Sequence, residues 1–303
     1  MNADMEQIAI ARLQEAALRS EQLYNGAPLI VTTSGGKDSD VTLELAQRAG
    51  IRFEVQHNHT TADAPETVRH IRETFRKLED KGIRCTINMP LYKGKPVTMW
   101  SLIPQKLMPP TRVVRYCCEV LKEHGGAGRF ITTGIRWEES TRRKKNRGIY
   151  EKSHRNPEKR IILMNDNDDK RQLFETCSLK AKRVCNPIID WTEADVWEFI
   201  ASEHIQTNPL YQCGFRRVGC IGCPMARLKG RYRDFARFPT YKLAYIRAFD
   251  KMLEERRRRG KMMGEWRAGA TGIDIFHWWM EDGIISGQVS FDEMGDHSEN
   301  RHD

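Results

Sequence analysis

No apolar run in this 303-residue chain approaches the roughly 18–20 residues of a membrane-spanning helix, which removes helical membrane proteins from consideration. The opening residues, Met1-Asn2-Ala3-Asp4-Met5-Glu6, have neither the basic stretch nor the apolar core of a secretory signal, so the expected location is the cytoplasm. No internal repeat is present, which argues against repeat architectures. The GxxxxGK[ST] loop of ordinary nucleotide triphosphatases is also missing. Eight cysteines lie between Cys85 and Cys223, and none follows in residues 224–303. In a reducing compartment they are not expected to be disulfides.

Positive charge is plentiful and uneven. The net charge is +9, and residues 216–267 carry 16 Lys and Arg against 5 Asp and Glu. Such a segment is either a solvated helical face or a surface for a polyanion, which in a cytoplasmic protein means nucleic acid. Among the cysteines, adjacent Cys117-Cys118 and a later Cys220-x-x-Cys223 suggest metal or cluster ligation. The plain reading of the adjacent pair is two small buried hydrophobes.

The stretch Thr32-Thr33-Ser34-Gly35-Gly36-Lys37-Asp38-Ser39-Asp40 organises the rest. It follows the apolar run Pro28–Val31, a buried strand, and precedes a helical pattern with Val41, Leu43, Leu45 and Ala46. Strand, glycine turn and helix start make a phosphate-binding geometry. The glycines let backbone approach an anion, and the first helical N–H groups have no internal partner. Ser34 and Ser39 add hydroxyls and Lys37 adds charge. The plain alternative is a serine-glycine turn ahead of a helix.

Residues 4–24 read as an amphipathic helix with Ile8, Leu13, Ala16, Leu18 and Leu23 inward. Ile51–His57 alternates as a second strand, and Pro65 suits the first turn of a helix to about Lys81. Strand, helix, strand implies a parallel unit whose ligands bind at the carboxyl ends of the strands. That puts Ser34–Ser39 and His57–Thr61 on one rim. A third strand spans Ile83–Asn88, and 90–115 reads as a connection in which Trp100, Leu102 and Ile103 pack. Arg129–Gly134 is a strand ending in Ile135-Arg136 and Thr141-Arg142-Arg143, a further position for an anion; Arg142 is either a phosphate ligand or surface. Residues 143–180 read as an exposed insertion. Thr192 and Asp195 form a helix start, with Trp197, Ile200 and Ala201 expected in the core. A basic helix is expected over 231–259, then a short helix over Ile273–Glu281 with Trp278 and Trp279 packing, and a frayed tail from Gly295.

Four motifs in order, Ser34–Ser39, Cys117-Cys118, Gly134–Arg142 and Asn208-Pro209-Leu210-Tyr211 through Cys223, resemble the phosphoadenylyl-sulfate (PAPS) reductase family of the ATP-pyrophosphatase superfamily. The resemblance spans about residues 28–225. It implies a Rossmann-like parallel α/β fold of the adenine nucleotide alpha hydrolase type over 1–205, with a cysteine-bearing, basic, helical region over 206–303. It implies ATP and Mg²⁺ as ligands. Ser34, Gly35, Gly36, Asp38 and Ser39 would bind the phosphates, with Lys37 on the reacting α-phosphate or pyrophosphate. Backbone near Val31–Thr33 and His57–Asn58 would hold adenine and ribose, and Gly134, Ile135, Arg136 and Arg142 would close the site. A 4Fe–4S cluster would sit on Cys117, Cys118, Cys220 and Cys223, with tetrahedral zinc the competing occupant.

Two departures from the family stand out. His59-Thr60-Thr61 precedes Pro65-Glu66-Thr67 where the reductases have aspartate-threonine-glycine, and their C-terminal nucleophilic cysteine has no counterpart up to Asp303. The layout resembles the ATP pyrophosphatases of DNA phosphorothioation systems. The expected activity is therefore adenylation of a nucleic acid, DNA favoured, for sulfur insertion, with release of pyrophosphate and then AMP. A cysteine desulfurase would supply sulfur, with Cys213 or Cys177 as a persulfide carrier, and a homo-oligomer stays open. The alternatives are a sulfonucleotide reductase, a tRNA thiolation enzyme, or a non-catalytic DNA- or nucleotide-binding defence module.

Overall fold

The computed structural model describes residues 3–122, 125–126, 128–152, 160–166, 182–261 and 269–281. Helix α1 (Ala3–Leu23) buries Ala9, Leu13, Ala16, Ala17 and Ser20, a ladder of three- and four-residue steps. Ile8 and Leu18, expected on that face, stand 45% and 56% exposed. They lie off the ladder, which small side chains define because they permit close packing.

Strand β1 (Leu29–Thr32) is buried and apolar until its last residue, as a central parallel strand must be. Helix α2 (Lys37–Arg48) follows the glycine loop, burying Val41, Leu43, Leu45 and Ala46. Then come β2 (Phe53–Asn58), α3 (Pro65–Glu79) with Pro65 in its first turn, and β3 (Cys85–Asn88). The expected connection over 90–115 holds a small hairpin, β4 (Leu91–Tyr92) with β5 (Lys95–Pro96), and helix α4 (Met99–Lys106). Helix α5 (Tyr116–Leu121) carries the adjacent cysteines. Strand β6 (Phe130–Thr132) pairs with β1 on the side away from β2.

After α6 (Thr141–Asn146), the segment expected to be an exposed insertion instead contributes β7 (Tyr150–Lys152) and β8 (Ile161–Leu163) to the sheet. Its residues 153–159 and 167–180 lie outside the described ones, as do Cys177 and the tail from Gly295. Strand β9 (Arg183–Cys185) completes a seven-stranded sheet of order β3-β2-β1-β6-β9-β7-β8. β3, β2, β1, β6 and β9 run parallel, whereas β7 and β8 are antiparallel additions. Helix α7 (Glu193–Ser202) starts on Thr192, whose hydroxyl accepts from Asp195 N–H. It buries Val196, Phe199 and Ile200, but Ala201 is exposed.

The expected 231–259 helix is two helices, α8 (Leu228–Arg237) and α9 (Pro239–Arg258), because Pro239 has no N–H to continue the first and suits the start of the second. Helix α10 (Gly272–Met280) is last among the described residues. No described helix is long and apolar enough to cross a membrane.

The chain forms two compact units, each assembled from separate segments. The first comprises Met1–His59, Asp63–Met89 and Lys122–Gly219 and contains the seven-stranded sheet. Its core includes Leu13, Val31, Leu45, Phe75, Trp191 and Phe199. The second comprises Thr60–Ala62, Pro90–Leu121 and Cys220–Asp303. Its interior is aromatic: Tyr245 lies 4.7 Å from both Trp100 and Trp279 between ring centroids, with Phe249 and Phe235 alongside. Arg231 is fully buried against the Trp279 ring and donates to the Trp279 carbonyl at 2.9 Å. The architecture is α/β, a mostly parallel sheet with helices, followed by a helical C-terminal region.

Candidate functional site

Parallel pairing aligns the carboxyl ends of β1, β2 and β6, with Thr32 opposite Gln56 and Val31 opposite Thr132. In the loop leaving β1, four successive N–H groups point at hydroxyl oxygens. Ser34 and Gly36 donate to Ser39 Oγ at 3.3 and 3.2 Å, Gly35 to Thr33 Oγ1 at 3.2 Å, and Lys37 to the Tyr211 hydroxyl at 2.9 Å. A neutral hydroxyl is a weaker acceptor than a phosphate oxygen. The loop therefore satisfies its amides while leaving a better bond for an anion to make, at the positive end of α2.

Charge gathers on Asp38. Lys37 Nζ lies 3.1 Å from its Oδ2, and Arg136 Nε donates to its Oδ1 at 2.6 Å. Both cations are buried, and each has a further carboxylate: Glu193 for Lys37 at 3.8 Å and Glu138 for Arg136 at 2.9 Å. Lys37 and Arg136, separated by about a third of the chain, thus meet on Asp38, beside Ser39 of the same helix turn. The Arg142 side chain lies outside what is described. Its neighbour Arg143 pairs with Glu139, which Arg217 approaches to 3.8 Å. Burial first, then the nearby guanidiniums of Arg217 and Arg147, pull Arg143 down to about 10.

His57 and Asn58 lie at the end of β2. His57 Nδ1 donates to the Thr33 carbonyl at 2.9 Å, and burial lowers its pKa. The Asn58 side chain donates to Lys122 O at 2.7 Å and accepts from Asn88 at 2.9 Å. Gly134 passes so close to the start of α2 that a Cβ would stand 2.5 Å from Asp38 O. Any larger residue would push β6's exit away from the loop. Ile135 beside it is half-buried.

Two residues of the noticed Asn208–Tyr211 motif are part of this site, which sequence reasoning does not reveal. Asn208 is fully buried and its Nδ2 donates to Gly35 O and Thr67 Oγ1, both at 3.0 Å. Tyr211 accepts the Lys37 amide and stands edge-on to Trp197. Arg143 and Arg217 are also absent from the sequence-derived set. An arginine-rich stretch offers no local signal to separate those that reach Glu139 from the rest.

The four predicted sulfur ligands all belong to the second unit. Cys117 and Cys220 are buried, and Cys118 and Cys223 are half-buried. Cys117 is pushed well up by a hydrogen bond with Cys118, by burial, and by the proximity of Cys118, Cys220 and Cys223. Tyr245 is raised too, by burial and then by Cys220, Cys223 and Cys117. Cys118, Cys220 and Cys223 thus all lie within electrostatic reach of Cys117. The Cys220–Cys223 turn is fixed by Ile221 N–H to Ala62 O at 2.8 Å and Gly222 N–H to Asp234 at 3.2 Å. Gly222 has φ +68 and lies against the Phe235 ring, so no side chain fits there. Four sulfur donors are the set an iron–sulfur cluster takes, and zinc takes the same set.

The model of the phosphoadenosine phosphosulfate reductase domain matches residues 28–226. An uncharacterized protein of Methanocaldococcus jannaschii is 27% identical over 247 residues, covering 77% of this chain. The chain spans 50% of that relative's length. An adenosine 5'-phosphosulfate reductase of Geobacillus kaustophilus is 24% identical over 207 residues, covering 65% of this chain and 73% of that protein. A solved phosphoadenylyl-sulfate reductase of Candida auris, a phosphate complex, covers 69% of this chain and 87% of its own at 15% identity and TM-score 0.41. The family match takes in the Ser34–Ser39 loop, both cysteine pairs and the Asn208–Tyr211 motif, and the chain belongs to the phosphoadenosine phosphosulfate reductase domain family.

Proposed function

We propose that the protein uses ATP to adenylate an oxygen of a nucleic-acid substrate, DNA favoured, so that sulfur can replace it. The observation that carries this reading is the convergence of Lys37 and Arg136 on Asp38, beside loop amides satisfied only by hydroxyls. Mg²⁺–ATP would enter as substrate, its phosphates taking the amides of Ser34–Lys37 from Ser39, Thr33 and Tyr211. Lys37 would then exchange its contact with Asp38 for one with the departing pyrophosphate. Arg136 holds Asp38 in place and, with Arg143, offsets negative charge at the α-phosphate.

The substrate oxygen attacks the α-phosphorus, and the bond to the bridging oxygen breaks with its electron pair leaving on pyrophosphate. Sulfur at the hydrosulfide level then attacks the activated centre, and AMP departs with the oxygen. Each step needs mainly positioning and charge stabilisation, which a preorganised loop supplies. A cysteine desulfurase would deliver the sulfur as a persulfide, released by a thiol; Cys213, which is exposed, is a candidate carrier. A 4Fe–4S cluster on Cys117, Cys118, Cys220 and Cys223 would supply redox capacity when bound. Support for a polyanion partner comes from α8 and α9, where Lys229, Arg233, Arg237, Lys242 and Arg247 are exposed, with exposed Arg227 just ahead of α8.

A second reading, reduction of a sulfonucleotide, is favoured by the likeness to the Geobacillus reductase. Turnover of anaerobically purified protein separates the two. With Mg²⁺–ATP, DNA and a desulfurase, the proposal expects AMP, pyrophosphate and DNA-bound sulfur. Sulfite from adenylyl sulfate, with no AMP from ATP, would establish the second reading instead.

A further inference from the structure

We propose that His57, His59 and Asp63 form a binding site for one divalent transition-metal ion of the zinc class, next to the phosphate loop. The three residues lie within seven positions at the carboxyl end of β2. There the chain turns so that Asp63 Oδ2 comes within 3.4 Å of His59 Nδ1. One ligand atom from each residue lies within 4.8 Å of the other two. The two imidazole rings are 6.2 Å apart between centroids and tilted by 59°. His57 and Asp63 are buried at 4% and 7% exposure, and His59 is partly open.

The second, independent observation is the state of His57. Its Nδ1–H donates to the Thr33 carbonyl, so the lone pair is on Nε2. That nitrogen is buried and has no hydrogen-bond partner among the described residues. An ordinary His59–Asp63 ion pair leaves this acceptor unexplained. A metal ion explains it, because imidazole ligands characteristically donate their other nitrogen to a backbone carbonyl or carboxylate, which fixes tautomer and ring orientation.

The donor set defines the ion. Two imidazoles and one carboxylate suit zinc, ferrous iron, cobalt or nickel, whereas magnesium and calcium prefer all-oxygen shells. Three protein ligands leave a position open, as in catalytic rather than structural zinc sites. The Thr33 carbonyl that orients His57 belongs to the phosphate loop. The open position therefore suits an oxygen of a water or of a phosphoryl or sulfo group. The site holds whether the nucleotide is ATP or a sulfonucleotide, and it is chemically distinct from the four thiols.

Cobalt(II) reports such a site in the full chain without nucleotide or turnover. After equilibrium dialysis, wild type should hold one more equivalent of cobalt than His59→Ala or Asp63→Asn. The near-ultraviolet sulfur-to-cobalt bands should be the same in all three. Loss of a direct ligand should weaken binding of that equivalent by at least the ~10–100-fold that loss of an outer-shell partner costs. Equal nitrogen/oxygen-bound cobalt in wild type and both folded variants would overturn the site, as would cobalt bound only through sulfur. A wild-type measurement covers variants that fail to fold. Zinc titration followed by long-range ¹H–¹⁵N correlation should shift His57 Nε2 and keep Nδ1 protonated; an unmoved Nε2 at saturating zinc would refute it.

Discussion

Replacing Asn208 by alanine removes three hydrogen bonds from a fully buried position. Its Nδ2 donates to Gly35 O and to Thr67 Oγ1, and its Oδ1 accepts from Leu210 N–H, all at 3.0 Å. Thr67 can rotate its hydroxyl, but the Gly35 carbonyl and Leu210 amide are fixed backbone. Each buried group left unsatisfied costs ~1–3 kcal/mol. Water entering the small cavity recovers part of this, so the expected loss is about 2–4 kcal/mol, a large fraction of the ~5–15 kcal/mol typical of a domain. Asn208→Asp keeps the volume and the Leu210 bond but turns an oxygen towards Gly35 O. It should be at least as unstable at neutral pH, and should recover as pH falls and its carboxyl regains a proton to donate. Urea unfolding followed by tryptophan fluorescence measures both variants, and titration with ATP measures the loop, whose affinity should fall with its anchor. A loss below about 0.5 kcal/mol in Asn208→Ala, the range of a bland surface change, would refute the claim that this amide holds the phosphate loop.

Lys37→Ala should lower nucleotide turnover by ~10²–10³-fold, the scale of losing one preorganised charge, while Arg136 keeps Asp38 paired; unchanged kcat would remove Lys37 from the chemistry. Cys220→Ser should cost anaerobically purified protein its iron and its colour, and iron at the wild-type level would contradict the four-cysteine set. Glu255 is held at about 2 by hydrogen bonds from Arg258 and Arg259. Because that is below its ordinary 4.5, its contribution to the end of α9 is complete above pH 4.5 and is lost as pH falls towards 2. Protection factors of the last turn of α9, the intrinsic hydrogen-exchange rate at each pH divided by the observed rate, should fall over that window in wild type and stay constant in Glu255→Gln.

Local chemistry made the glycine turn between β1 and α2 legible: an apolar strand, two glycines and a helix start are contiguous, and the βαβ unit follows from short-range pattern. The other wall of the site was not legible, because Asn208 and Tyr211 reach the loop across sequence separations of 173 and 174 residues. β7 was hidden by its charges. Glu151 looks like surface, yet it is 1% exposed, neutralised by Arg147 and Arg160 and hydrogen-bonded to Asn186 at 3.0 Å. Helix α1 misled in the opposite sense, since Ile8 and Leu18 are the bulkier apolar residues but alanines make the packed face. The two cysteine pairs fall in the same unit, the second, although about a hundred residues separate them in sequence. His57, assigned to a nucleotide contact by resemblance, gains its second reading from its approach to His59 and Asp63 and from the bond to Thr33 that leaves Nε2 as an unpartnered acceptor.

Exchange of labelled pyrophosphate into ATP tests the central claim most directly, because it reads reversible cleavage between the α- and β-phosphates. Anaerobic protein with Mg²⁺–ATP and DNA should transfer label into ATP, and Lys37→Ala should slow the exchange by the same ~10²–10³-fold. Release of ADP and phosphate, or exchange that survives Lys37→Ala undiminished, would contradict adenylation at this loop.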